Sequence, residues 1–383
     1  MRISTRGRVD PFIAMAVMAE AAAIERAGGD VVRMEVGQPG TPAPRLAREA
    51  AAKALASESL GYTEALGLPA LRERIARRYR ERHGVEVDPQ RVVVTAGSSA
   101  GFLMAFTALF DAGARIAIAD PSYPAYRNIL KALDLKLARL GATEASRFQP
   151  DPHLLADAGR MGHLDGVLAA SPANPTGAML SRDALVDLVE ECQRIGATFI
   201  SDEIYHGIEF GERAVSALEV TEDAIVVNSF SKYFSMTGWR VGWLVAPEPM
   251  IPVFERLSQN LYICAPHVGQ VAALAALDAE EELDGHVALY ARNRELLLNE
   301  LPAAGFGALA PCDGAFYLYA DVSGLTDDSR AFCARMLREA GVAATPGVDF
   351  DPVRGAGTIR FSFAGPEARV AEGARRLRTW LKG

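Results

Sequence analysis

Cysteine is scarce in this chain. There are four among 383 residues, Cys192, Cys264, Cys312 and Cys333, far apart and with no Cys-x-x-Cys pair. That spacing argues against a disulfide framework and against a metal site, and it fits a reducing cytoplasm. Cys264 and Cys333 stand among apolar neighbours and read as small buried hydrophobes. Positive charge is short as well: 40 Lys and Arg face 48 Asp and Glu, a formal net charge of -8. Nucleic acid is therefore not the expected partner, although local arginines still allow a small acidic ligand. No apolar run approaches the length of a membrane span. No repeat or low-complexity tract is present. Arg2, Arg6 and Arg8 precede an apolar stretch from Phe12 to Ala19, but Asp10 and Glu20 bracket it and the pattern runs on through Ile24 to Gly28-Gly29. A mature N-terminal helix is expected there rather than a secretory signal.

What is present is an alternation. The length calls for one large domain and a smaller one. Short β-rich runs, Arg91 to Thr95, Arg115 to Ala119, Gly166 to Ala170, Thr198 to Ile200 and Ala224 to Val227, are near-continuously apolar, as strands of a parallel sheet covered on both faces should be. Helical patterns lie between them. Leu71 to His83 is one, and Ser181 caps another that runs towards Gly196. The pattern predicts a doubly wound α/β domain over residues 46–284. Residues 285–383 mix helices with the strands Gly314 to Ala320 and Thr358 to Phe363, which predicts a smaller α+β domain. Residues 1–45 read as a helix and a proline-marked connector, an arm able to pack on the small domain or on a neighbouring subunit.

Ligands of parallel α/β sheets gather at the carboxyl ends of the strands. Those ends carry Gly97-Ser98-Ser99 opening a helix, then Tyr123, Asn174 in an Asn-Pro-Thr-Gly turn, Asp202 with Tyr205, and Lys232 followed by Arg240. A Gly/Ser helix start offers free N–H groups to a phosphate, and Arg240 can add a bidentate pair. Tyr123 offers a face for stacking. Asp202 can hold a ring nitrogen protonated, Asn174 and Tyr205 suit a phenolate oxygen, and Lys232 can form an imine and then shuttle a proton. The set fits an aromatic, phosphorylated, aldehyde-bearing cofactor. Singly, each element reads as a turn, a cap, a rim aromatic or a surface charge; their order along the chain carries the reading.

That order, with Ser229-Phe230-Ser231-Lys232 and arginine eight residues after the lysine, resembles the class I/II aminotransferases of fold type I, nearest to their prokaryotic aspartate-aminotransferase-like branch. The resemblance spans the chain from Val36-Gly37-Gln38-Pro39 to the last strand. It implies a mostly parallel seven-stranded sheet between helices, and pyridoxal 5'-phosphate as a Schiff base on Lys232. It further implies Asp202 on the pyridine nitrogen, Asn174 and Tyr205 on the phenolate oxygen, and Tyr123 stacked on the ring where some members carry tryptophan. Ser229, Arg240 and backbone groups around Gly97, Ser98 and Ser99 are implied for the phosphate. Tyr62 is implied to reach the phosphate of the partner subunit, hence a homodimer with shared active sites. Arg360 is implied to grip the substrate carboxylate with its planar fork of donors, with Gly37 approaching the substrate.

The expected activity is transfer of an amino group from an α-amino acid to a 2-oxo acid in two half-reactions, with Lys232 moving the α-proton. Two rivals stand beside it. One is β-elimination at carbon–sulfur bonds on the same scaffold. The other is a non-catalytic sensor, which would need an attached DNA-binding domain that the short segment before Gly37 leaves no room for. Members preferring dicarboxylic acids add a second cation, and no residue here is assigned to that role. Tyr262 to His267 occupies a stretch that varies with specificity, so the donor stays open.

Overall fold

The computed structural model describes residues 3–382. Its central sheet has seven strands, ordered across the sheet Val92–Thr95, Gly242–Val245, Ile225–Ser229, Thr198–Asp202, Gly166–Ala170, Arg115–Asp120 and Lys136–Gly141. Neighbouring pairs are parallel except where Gly242–Val245 lies antiparallel to both of its partners. The apolar runs are buried on both faces. Val92, Val94, Ala117, Val167 and Val226 join one core cluster, while Val93, Ile116, Ile118, Leu168 and Val227 join the other. This two-sided burial is the reason the strands do not alternate with polar residues.

Two strands of the central sheet went unmarked by the sequence pattern. Lys136–Gly141 sits at the sheet edge and buries only alternate residues, so it lacks the continuous apolar signature. Gly242–Val245 is buried throughout, but it is short and follows directly on the lysine segment. The helices fall where expected. Ser181 accepts from the Ala184 N–H at 3.2 Å and starts a helix over Arg182–Ile195. Cys333 is buried as anticipated, whereas Cys264 is partly exposed.

The C-terminal part carries an antiparallel sheet ordered Thr345–Pro346, Thr358–Ser362, Tyr317–Asp321. The long helix Glu280–Ala304 runs without interruption past residue 285, because Gly285 is solvent-exposed and a lone exposed glycine costs a helix only about 1 kcal/mol. The helical pattern after Ser329 loosens into a π turn over Met336–Ala340.

The arm is stitched to this C-terminal part. Val32–Arg33 pairs in parallel with Val342–Ala343, and Ser362 donates to the Met34 carbonyl at 2.7 Å. The helix Ile13–Arg26 buries Ala21 against Val31, Leu337 and Ala343. Its first turn has no capping side chain of its own. The Asp349 carboxylate supplies one from across the chain, accepting from Ile13 N at 3.2 Å and Ala14 N at 3.1 Å. Asp349→Ala is therefore expected to destabilise the protein by about 1 kcal/mol. The check is a lower denaturant midpoint with unchanged slope.

Candidate active site

At the carboxyl ends of the parallel strands lies a cavity of about 280 Å³. Its walls include Gly37, Ser98, Ser99, Tyr123, Asn174, Asp202, Tyr205, Lys232, Arg240 and Arg360. Gly97 and Ser229 stand just behind that wall. Tyr62 lies apart from it, 80% exposed.

Lys232 follows the strand Ile225–Ser229 in a turn closed by Ser235 N–H to the Lys232 carbonyl and by Met236 N–H to the Phe230 carbonyl, each 3.0 Å. Its Nζ donates to the Gly37 carbonyl at 2.6 Å. Burial, with help from the nearby Arg360 and Arg240 guanidinium groups, lowers its pKa to about 8; Asp202 opposes the shift. Gly37 comes this close because it has no side chain: a Cβ there would lie 2.0 Å from the Tyr317 hydroxyl. That hydroxyl is 2.7 Å from the Tyr205 hydroxyl, so Tyr205 is held from the C-terminal part of the chain.

Asp202 closes the strand Thr198–Asp202 and is almost fully buried. Burial raises its carboxyl to about 6, against the lowering effect of the Tyr126 hydroxyl and the Ile204 N–H. Tyr126 donates to Oδ2 and Ile204 N to Oδ1 at 3.0 Å. One face of this carboxylate group is thus fixed, and the group sits on the cavity wall.

The helix Ser98–Leu109 begins without a capping side chain. Arg240, tethered by Nη1 to the Thr237 carbonyl at 2.9 Å, lies across that start. Gly97 has φ +81°, and a Cβ on it would fall 2.3 Å from Arg240 Nη2. Unsatisfied N–H groups, the serines and a guanidinium converge on one spot, which is the donor set a phosphate requires. Ser229 contributes from behind, with its hydroxyl 2.8 Å from that of the wall residue Ser231.

Arg360 occupies the opposite end and is buried. Nη1 donates to Asn174 Oδ1 at 2.8 Å and Nη2 to the Glu35 carbonyl at 2.6 Å. The guanidinium lies between the Tyr317 and Phe350 rings, 4.3 and 4.6 Å from their centroids. All of its hydrogen-bond partners are neutral oxygens and its Nε has none. A buried cation with no carboxylate within ion-pair distance can take up a carboxylate.

Sequence reasoning missed Tyr126, Tyr317 and Phe350. Tyr126 had a signal, a Tyr-x-x-Tyr spacing at the start of the helix Pro124–Ala132 that brings its ring 5.4 Å from that of Tyr123. Tyr317 and Phe350 had none, since both arrive from the distant C-terminal part. Among the described residues no His, Cys, Asp and Glu group suited to a metal occurs, and no helix is long and apolar enough to cross a membrane. Replacing Tyr126 by Phe removes a donor to the ionised carboxylate, so Asp202 should titrate about one pH unit higher, the worth of one charge-assisted hydrogen bond. Carboxyl-carbon NMR across the pH range measures it.

Comparison with known proteins agrees with this geometry. The family model "Aminotransferase class I and II" matches residues 29–377. A valine–pyruvate aminotransferase from Mycobacterium tuberculosis is 47% identical, covering 99% of this chain and 98% of that protein. The crystal structure of an aminotransferase from the same organism superposes with a TM-score of 0.97 at 46% identity, covering 100% of this chain and 99% of that one. The aspartate aminotransferase of Thermus thermophilus, solved with maleate, gives 0.91 at 30% identity, over 99% of this chain and all of that one. An uninterrupted match from the arm to the last helix makes the assignment plain: the chain belongs to the class I and II aminotransferases and is an enzyme of amino-group transfer.

Proposed function

We propose that the chain uses pyridoxal 5'-phosphate, held covalently by Lys232, to move the amino group of an α-amino acid to a 2-oxo acid in a ping-pong sequence. The observation that carries this reading is the convergence of Lys232, Asp202 and Arg360, which has only neutral hydrogen-bond partners, on one cavity. When bound, pyridoxal phosphate supplies a carbonyl that accepts the amino group and a ring that takes up the electron pair left at the substrate α-carbon. Arg240, Ser98, Ser99, Ser229 and the backbone at Gly97 hold the phosphate; Tyr123 covers the ring; Asn174 and Tyr205 address its phenolate oxygen. Asp202, ionised above about 6, pairs with the ring nitrogen and keeps it protonated. Arg360 orients the substrate carboxylate beside Gly37, and Lys232 Nζ takes the proton from the α-carbon. An amine poised near 8 has a neutral fraction at physiological pH that a free lysine lacks.

The assembly we propose is a homodimer in which the exposed Tyr62 reaches the phosphate site of the second copy. Within each copy, residues 46–284 form the cofactor-binding unit and residues 285–383 the smaller one, sharing the helix Glu280–Ala304 as a spine, with residues 1–45 as the arm. Four free cysteines suit a cytoplasmic setting. The name of the 47% identical relative favours a neutral donor and a small 2-oxo acid as acceptor over aspartate.

Covalent capture of pyridoxal phosphate by the apoprotein, trapped by borohydride, is expected to speed up through about pH 8, not near the 10.5 of an ordinary lysine, because only the neutral amine attacks. Lys232→Ala should bind the cofactor, trap none and transfer no amino group; normal transfer by that variant would overturn the assignment. A donor panel read by oxo-acid formation separates transfer from β-elimination, which would release pyruvate and ammonia with no second oxo acid.

A further inference from the structure

Asp202 and Tyr205 line the cavity; Glu203 and His206, the residues that follow them, do not. They lie in a buried polar layer, Glu203 1% exposed and His206 5%. His206 Nε2 is 3.0 Å from the Ser171 carbonyl. A carbonyl can only accept, so Nε2 carries a proton. The ring's Nδ1 has no hydrogen-bond partner among the described residues and faces the Glu203 carboxyl, with Oε2 3.5 Å away. The other carboxyl oxygen, Oε1, accepts from the Ser216 hydroxyl at 2.9 Å, the Ala217 N–H at 2.8 Å and the Ser201 hydroxyl at 3.2 Å.

The charges around this pair have partners of their own. Arg82 pairs with Glu209 at 2.6 Å and Arg213 with Glu219 at 2.7 Å. The His83 ring, 5.4 Å from that of His206, takes an Arg213 N–H on its Nδ1 at 2.6 Å beside Glu219. Burial raises the Glu203 carboxyl to about 8 and pushes His206 well below its ordinary value, so both are uncharged at neutral pH. A proton on Oε2 then serves the lone acceptor Nδ1 while Oε1 keeps its three donors. The chain of donors and acceptors closes without a buried ion pair and its desolvation cost.

His206 joins two segments of the site. Ser171 follows the strand Gly166–Ala170 and begins the turn that carries Asn174, whereas His206 follows Tyr205 beyond the strand Thr198–Asp202. Asn174 Oδ1 is occupied by Arg360, which leaves its amide nitrogen as the donor. We infer that His206, oriented by Glu203, is a positioning residue that ties the Asn174 turn to the Tyr205 segment and so sets both donors on the cofactor's phenolate oxygen. The inference rests on the proposed cofactor reading and adds to it a residue that touches neither cofactor nor substrate.

Donors on the phenolate oxygen draw off its negative charge, so the proton on the cofactor's bond to Lys232 is held less tightly; displacing them raises the pH at which that proton leaves. The test titrates the absorbance of the Lys232-bound cofactor in the wild-type enzyme, His206→Gln and His206→Met. Gln and Met are alike in length and volume, but only the amide can donate to the Ser171 carbonyl. His206→Met should titrate about half a pH unit higher, part of the worth of one hydrogen bond, and His206→Gln as the wild type does. Equal shifts in both variants, or none in either, would overturn the inference. Nitrogen NMR of labelled histidines reads the wild-type enzyme directly, without relying on a variant that folds. Between about pH 6 and 7.5, His206 should carry its proton on Nε2 and none on Nδ1. Glu203→Gln should keep that state, because its amide also donates on one side and accepts on the other. A proton on Nδ1 in either protein would sink the role given to the pair. A wild-type enzyme whose cofactor forms no bond to Lys232 would instead overturn the reading of Lys232, and the inference with it.

Discussion

Three separate stretches of sequence meet at the Arg360 guanidinium. Asn174 reaches it from the turn after a strand of the central sheet, the Glu35 carbonyl from the arm, and the Tyr317 and Phe350 rings from the C-terminal part. Burying a cation among neutral partners is costly, and the protein tolerates it only because hydrogen bonds and two aromatic faces replace much of the lost water. The residual demand for negative charge suits the cavity to a carboxylate. The same contacts hold the arm, the sheet edge and the small antiparallel sheet in one relative position, so specificity and architecture depend on the same side chain.

Burial acts on the two proton-handling groups in opposite senses. It raises the Asp202 carboxyl and lowers the Lys232 amine, because in each case the charged form is the one that loses water. Left to burial alone, Asp202 would hold its proton to still higher pH. The Tyr126 hydroxyl and the Ile204 N–H offset part of that penalty and favour the ionised carboxylate. Lys232 receives no such compensation from a directly bonded carboxylate; its partner is the Gly37 carbonyl, and the neighbouring guanidinium groups push it further down. The site thus obtains a carboxylate and a nearly neutral amine side by side from ordinary residues.

Much of this was legible in the chain. Strands buried on both faces announce themselves by unbroken apolar runs, so Val92–Thr95, Gly166–Ala170 and Ile225–Ser229 were readable, and with them the residues at their carboxyl ends. Lys136–Gly141 was not, because an edge strand buries one face and its sequence reads as weakly amphipathic. Tyr317 and Phe350 were invisible for another reason. Their neighbours in sequence are unremarkable, and their roles come from packing against residues that are distant along the chain. Phe12 and Met15 looked like part of a helix's apolar stripe; Met15 lies in the helix and Phe12 just before it, and both face a cavity that the arm alone does not define.

The sequence by itself determined most of the parallel strands and the helices between them, the placing of Lys232 and Asp202 after those strands, and the glycines where backbone must come close. These follow from local chemistry: periodicity, turn preference and motif spacing act over a few residues. The tertiary structure decided which groups surround those residues, and therefore the proton affinities of Lys232 and Asp202, the neutral partners of Arg360 and the apolar residues that the arm adds to the cavity wall. Desolvation and charge pairing are set by what arrives from elsewhere in the chain, and that is fixed only when the sheet, the arm and the C-terminal part close on one cavity.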